Sequence, residues 1–209
     1  MLKFYKTNNK ENCRRNKLIF RQVIKIPNDR IGVIIGKNGK VKTQIQDKCN
    51  VTIEVDGENG NAIISSTSKP IIETEPFKAV EIVSAIAKGF SPERAYRLLG
   101  EEEILQLVDL RDYTGKSANS LSRIKGRIIG EAGKSRKTIE EISGAYMSIY
   151  GHTVGLIGTF EEIKLATEAV TMLSKGRSHA NVYNMLQEAK RKSKLDRMRL
   201  WENDSMRIL

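Results

Sequence analysis

Ile34-Ile35-Gly36-Lys37-Asn38-Gly39-Lys40 returns as Ile128-Ile129-Gly130-Glu131-Ala132-Gly133-Lys134, every position displaced by 94 residues. In each copy two isoleucines lead into Gly-x-x-Gly and a lysine follows. The same displacement carries Ile45 onto Ile139, Gly57 onto Gly151 and Ile63 onto Ile157. The displacement then drops to 87, which carries Lys88-Gly89 onto Lys175-Gly176, Tyr96 onto Tyr183 and Leu99 onto Leu186. The first copy therefore holds a loop seven residues longer between these two registers. A repeat of about 90 residues is a duplicated domain, too long for a solenoid unit.

Working outward from the first Gly-x-x-Gly, Leu18 to Ile26 is apolar and β-branched enough for a strand, and Pro27-Asn28-Asp29 supplies a turn and a helix cap. A short helix follows from about Arg30 to Ile35 and is stopped by Gly36. A second helix begins after Gly39, with Val41, Ile45 and Cys49 near helical spacing. Val51 to Val55 alternates as a half-buried strand, and Asn61 to Ser65 is its partner across a Gly-rich turn. Glu75-Pro76 opens a longer helix whose apolar face is Val80, Ile82, Val83, Ile86 and Ala87, and a short helix runs from Ser91 to Leu99.

The second copy repeats this order. A strand is expected at Leu105 to Tyr113, an insertion at Thr114 to Arg123 lengthening the approach to the loop, and a second helix at Lys134 to Ser143. Strands at Tyr146 to Tyr150 and Thr153 to Ile157 follow, then a long helix from Phe160 to Ser174. A last helix starts near Ala180 and runs on through the charged stretch Glu188 to Arg199. The expected division is a basic tail over 1–17, domains over 18–100 and 101–190, and a basic C-terminal helix or tail over 191–209. The class is α+β.

A helix, a Gly-x-x-Gly turn and another helix leave backbone amides at a helix start with no side-chain bulk in the way. Glycine permits positive φ there and lets a phosphodiester approach the main chain. This strand-helix-GxxG-helix-strand-strand-helix order resembles the eukaryote-type KH domain, and the two copies resemble a tandem KH protein. That resemblance implies a three-stranded sheet packed by helices in each domain. It also implies a loop that clamps about four single-stranded nucleotides against a groove beside the second strand.

Matched onto this sequence, the loops are Gly36, Lys37, Asn38, Gly39 and Gly130, Glu131, Ala132, Gly133. The matching groove walls are Ile34, Ile35, Ile45 and Ile53, with Ile128, Ile129, Ile139 and Ser148 in the second copy. Lys40 and Lys134 follow the loops. The third residue after the second glycine, usually apolar in KH domains, is Lys42 in one copy and Arg136 in the other. Arg127 precedes the second loop. These features, with the closing Tyr-x-x-Leu helices, resemble the archaeal and eukaryotic ribosome-assembly KH proteins known as the partner of the Nob endonuclease. The resemblance implies a role in holding the 3′ end of small-subunit rRNA. It implies as partners the endonuclease that trims that end and, in archaea, the α subunit of translation initiation factor two.

Charge agrees with a polyanionic ligand: the 209 residues carry a formal +11, with pI about 9.6. Basic residues crowd both ends, Lys3, Lys6, Lys10, Arg14, Arg15 and Lys17 at one and Lys190, Arg191, Lys192, Lys194, Arg197 and Arg199 at the other. They read equally as sequence-independent RNA contacts or as solvated faces. No apolar run approaches membrane-spanning length, and residues 1–17 read as neither signal peptide nor anchor. Cys13 and Cys49 in non-equivalent places suggest reduced thiols in a cytoplasmic protein, expected to be monomeric.

Catalysis ranks lower. Gly115-Lys116-Ser117 and Gly133-Lys134-Ser135 lack the earlier glycine of a phosphate-binding loop, since Leu110 and Ile128 stand there. Glu101-Glu102-Glu103 reads as a helix start, not a metal cluster, and no cofactor or metal is expected. The competing readings are a protein-interaction adaptor whose KH folds have lost RNA or a translation-related RNA binder, with a nuclease ranked below both.

Overall fold

The computed structural model describes residues 20–57, 59–66, 74–114 and 118–205. The seven-residue length difference between the copies, the basic run of residues 1–17 and the Gly115-Lys116-Ser117 stretch lie outside the described residues.

The first copy runs β1 (Phe20–Lys25), α1 (Asn28–Ile35), α2 (Lys40–Cys49), β2 (Thr52–Asp56), β3 (Asn61–Ser66), α3 (Pro76–Ala87) and α4 (Pro92–Ala95), which passes into a 3-10 turn at Tyr96–Leu99. The second runs β4 (Ile104–Asp109), α5 (Arg111–Thr114), α6 (Ala118–Ile129), α7 (Lys134–Ser143), β5 (Tyr146–Tyr150), β6 (Thr153–Gly158), α8 (Phe160–Ser174) and α9 (His179–Ser205). The expected strand to Tyr113 is cut at Asp109. Asp109 instead takes the Arg111 backbone N–H at 2.9 Å and its guanidinium at 2.6 to 3.1 Å, turning the chain into α5. From Ala118 on the insertion is helical, and it makes α6 twelve residues long where α1 has eight.

Each sheet is antiparallel with the third strand in the middle, in the orders β1-β3-β2 and β4-β6-β5. Alternation puts Phe20, Gln22 and Ile24 toward the helices and Arg21, Val23 and Lys25 outward, as the burial of β1 shows. One core gathers Ile34, Ile45, Ile53, Ile64, Ile82 and Ile86; the other gathers Ile128, Ile139, Met147, Leu156, Val170 and Leu173. Cys49 lies in the first core, and burial pushes its thiol up to about 11.

The two domains are packed together. Phe90, following α3, is 1% exposed and lies on β6, where Gly155 has no side chain to obstruct it. A Cβ at Gly155 would stand 2.7 Å from the Phe90 ring. Ile157, Leu105 and Tyr146, from the outer face of the second sheet, join the first domain's core. The second sheet is therefore covered by its own helices on one face and, on much of the other, by Phe90, α3 and the 3-10 turn of the first domain, with Leu107 of that face still 41% exposed. Polar contacts fix the angle. Arg97 donates to the Gly144 carbonyl at 2.6 Å and pairs with Glu162 and, at 2.9 Å, with Glu103. Ser148 Oγ donates to Lys88 O at 3.1 Å. Tyr150 donates its hydroxyl to Asp29 at 2.7 Å, and that bond raises the phenol pKa.

Candidate nucleic-acid interface

The two loops share one backbone conformation. Gly36 and Gly130 have φ/ψ of 74°/175° and 73°/175°, a region only glycine enters freely. A Cβ at Gly36 would stand 2.9 Å from the Val41 backbone nitrogen, and one at Gly130 2.7 Å from that of Ser135. Asn38 and Ala132 both sit in the left-handed region, as do Gly39 and Gly133. Each loop is tied at both ends by matching bonds. Gly36 N–H donates to Gly32 O at 2.9 Å and Gly130 N–H to Gly126 O at 2.8 Å, while Gly39 and Gly133 donate back to Gly36 and Gly130 at 3.2 Å.

Behind the loops, α2 and α7 begin at Lys40 and Lys134 with no side-chain cap hydrogen bond. The Lys40 and Lys134 N–H groups are spent on the Lys37 and Glu131 carbonyls, so what each helix start offers an anion is its positive dipole end. Lys37, Asn38, Glu131 and Ala132 are exposed at the tips, with Lys40 and Lys134 exposed beside them, and Lys42 and Arg136 are half-buried. Ile35 is half-buried and Ile129 36% exposed, so these two aliphatics reach the surface beside the loop.

Several expected groove residues lie elsewhere. Ile34, Ile128, Ile45 and Ile139 are 0% exposed and Ile53 1%: the packing of helices on sheet needs them, so they support the loop from behind and present no surface to a ligand in this structure. Ser148 faces the opposite side of its sheet, bonded to Lys88 under the first domain. Arg127 is turned away from the loop, its Nε on Leu173 O at 3.3 Å and Nη2 on Arg177 O at 2.5 Å. In the first copy Arg30 does the same job, bonding Ile86 O at 3.0 Å and Phe90 O at 2.6 Å, the carbonyls equivalent under the displacement of 87. The arginines themselves occupy different helix positions, so the repeated pattern of the sequence did not reveal that both cap the long helix after the sheet, α3 in one copy and α8 in the other.

Sequence reasoning missed one group entirely. Glu140, 11% exposed on α7, accepts the Met147 backbone N–H at 2.7 Å on the outer edge of β5, and Arg94 of the first domain at 2.6 Å. The only sequence signal is that Glu140 stands where the first copy has Gln46. Among the described residues no group of three metal-ligating side chains occurs, and no helix is long and apolar enough to cross a membrane.

Comparison with known proteins agrees with this geometry. Residues 104–191 match the model of the eukaryotic-type KH domain (KH-domain type I) and residues 21–85 that of the KH domain. A KH domain-containing protein of Methanocaldococcus jannaschii is 44% identical over 184 residues, 88% of this chain and 80% of its own. The pre-rRNA-processing protein PNO1 of Chaetomium thermophilum is 28% identical over 142 residues; the chain spans 55% of that longer relative. The Dim2p of Pyrococcus horikoshii, solved in a complex with a/eIF2α and rRNA, superposes with a TM-score of 0.78 at 41% identity, covering 85% of this chain and 97% of that one. With two KH domains in this order and the second of the PNO1 type, the chain belongs to the PNO1/Dim2 family of tandem KH proteins.

Proposed function

We propose that this protein is an rRNA-binding ribosome-assembly factor that holds the 3′ end of small-subunit rRNA, as a single strand, on its two Gly-x-x-Gly loops. The observation that carries this reading is the recurrence of one loop conformation, to within a degree at Gly36 and Gly130, each time ahead of an uncapped helix start in a basic chain. A loop that must keep positive φ at three of four positions in both copies is under a backbone demand that a plain helix stop would not impose. Support for rRNA as the ligand comes from the Pyrococcus relative solved with it and from relatives named for pre-rRNA processing.

The chain's part is to bind and present, and not to cut. The endonuclease that trims the bound end and the α subunit of translation initiation factor two are the protein partners of this reading, which places a monomer in the cytoplasm. Crosslinking in cells of its own source should give a peak at the small-subunit rRNA 3′ end. Purified protein should prefer a single strand of about eight nucleotides, two grooves of about four, to a duplex of the same length. Equal affinity for the duplex would count against the groove, and hydrolysis of the RNA by the pure protein against the division of labour.

A further inference from the structure

The second groove is not made by the second domain alone. On α7, Arg136 and Glu140 are four residues apart and so stand on one face a turn apart. That face leads from the Gly-x-x-Gly loop to the edge of β5, the outermost strand of its sheet. Glu140 Oε1 holds the Met147 N–H, an outward backbone donor of that edge, at 2.7 Å. The same oxygen accepts Arg94 Nη1 at 2.6 Å, and Oε2 lies 3.4 Å from Nη2. Arg94 comes from α4 of the first domain and lies over the Tyr146 ring, 4.9 Å from its centroid. Its side chain remains 37% exposed after making these contacts. At the other end of the file, Arg136 Nε is buried with no hydrogen-bond partner.

A buried guanidinium N–H without an acceptor is costly and calls for a partner, which an ordered water, or a ligand group that displaces it, supplies. Two guanidiniums against a single carboxylate leave a net positive charge and a surplus of planar donors beside an edge strand. Phosphate is not what this arrangement suits best, because the loop and the helix start already face the backbone path. The first groove has Lys42 and Gln46 at the matching places, a flexible ammonium and a neutral amide, so the device belongs to the second copy only.

Resting on the RNA reading above, we propose that Arg94, lent by the first domain, and Arg136 form a base-reading site in the second groove. They select, at one nucleotide position, a base edge with two adjacent acceptors. Guanine offers O6 and N7 and cytosine offers O2 and N3, whereas uracil, and adenine on its Watson–Crick and Hoogsteen edges, place a donor beside each acceptor. Glu140 is the positioning residue: it fixes the Arg94 fork at the strand edge and neutralises one of the two charges.

The test uses the full chain and a set of eight-nucleotide single-stranded RNAs in which each position is varied in turn through the four bases. The wild type should favour cytosine or guanine over adenine and uracil by about tenfold at one position. Arg94→Lys keeps a cation for Glu140 but loses the fork, so that preference should fall to within about twofold while the salt dependence of binding stays put. Arg136→Lys, which touches no interdomain contact, should lower the preference at the same position and decides the matter if Arg94→Lys disturbs the fold. Retention of full preference in both variants would overturn the proposal. So would a loss uniform across all sequences with a reduced salt slope, which is the mark of a phosphate contact. A wild type that binds single strands with no base preference defeats this site alone, whereas one that binds no single strand defeats the RNA reading itself.

Discussion

The outer face of the second sheet lies under Phe90 and Arg97 of the first domain, while the matching face of the first sheet presents Arg21, Val23 and Lys25 outward, Val23 with 56% of its surface exposed. Duplication copied the fold and the loop but not the surroundings. Where the first copy has Phe90 and Arg97, the second has Arg177 and Asn184, both exposed. Asymmetry of this kind turns two copies into one body with a built-in order, and it lets a residue of one domain reach the groove of the other. The contrast should show most strongly in stability. Phe90→Ala removes a fully buried ring and should cost about 3 to 4 kcal/mol in denaturant unfolding, whereas Arg177→Ala should stay within about 0.5 kcal/mol. Similar small values at both positions would mean that the domains are not held as described.

A second break falls inside the loops, where the copies should behave alike. Gly36→Ala and Gly130→Ala meet both a backbone conformation closed to alanine and a main-chain nitrogen under 3 Å away, and each should cost about 2 to 3 kcal/mol. Gly39→Ala and Gly133→Ala face open space and carry only the left-handed penalty, about 1 kcal/mol. Thermal or denaturant midpoints of the four variants separate the glycines that build the loop from those that only bend it. Equal costs at all four would show that the close approach at the first glycine relaxes easily.

Sequence alone made the duplication, the element order and both loops legible, because glycine pairs and periodic isoleucines are local signals. It overestimated the groove for the same reason. An isoleucine next to a loop carries no mark of which way its helix is rolled, and Ile34 and Ile128 turn out to face the sheet while Ile35 and Ile129 come to the surface. Arg127 looked like a loop cation and is a helix cap. The interdomain contacts were invisible because Arg94 and Glu140 are 46 residues apart, in copies whose alignment gives no hint that one packs on the other.

Removing Arg127 from the loop cations narrows the contest between the two clamps. With Arg136 assigned to the base edge, the second loop keeps Lys125, Lys134 and Lys137 against the carboxylate of Glu131, and the first has Lys37, Lys40 and Lys42 with no carboxylate at its tip. If each cation of a triple meets a phosphate, neutralising that triple should flatten the log K versus log salt slope by up to about 2. Between 50 and 200 mM salt this is about a sixteenfold difference in affinity loss. The second triple is expected to flatten the slope more, because Arg123 on α6 reinforces its field. A larger effect from Lys37, Lys40 and Lys42 would assign the stronger clamp to the loop tip and show that Glu131 repels enough to decide the order.

The smallest expected difference is also the cleanest, since it compares one backbone position in two sequences. Asn38 and Ala132 occupy the left-handed region with φ of 55° and 49°, both exposed at the loop tip. Asparagine tolerates that region because its short polar side chain bonds locally, while the Cβ of alanine crowds the following carbonyl with nothing to offset it. Ala132→Asn should therefore stabilise the protein by about 0.5 to 1 kcal/mol, and Asn38→Ala should destabilise it by a similar amount. Both substitutions leave the charge unchanged, so salt dependence of RNA binding should not move, and any affinity change would report loop order instead of electrostatics. Opposite signs in denaturant unfolding would confirm that the second copy carries backbone strain the first has shed. The same sign for both would mean that side-chain contacts at the tip, different in the two copies, outweigh the conformation they share.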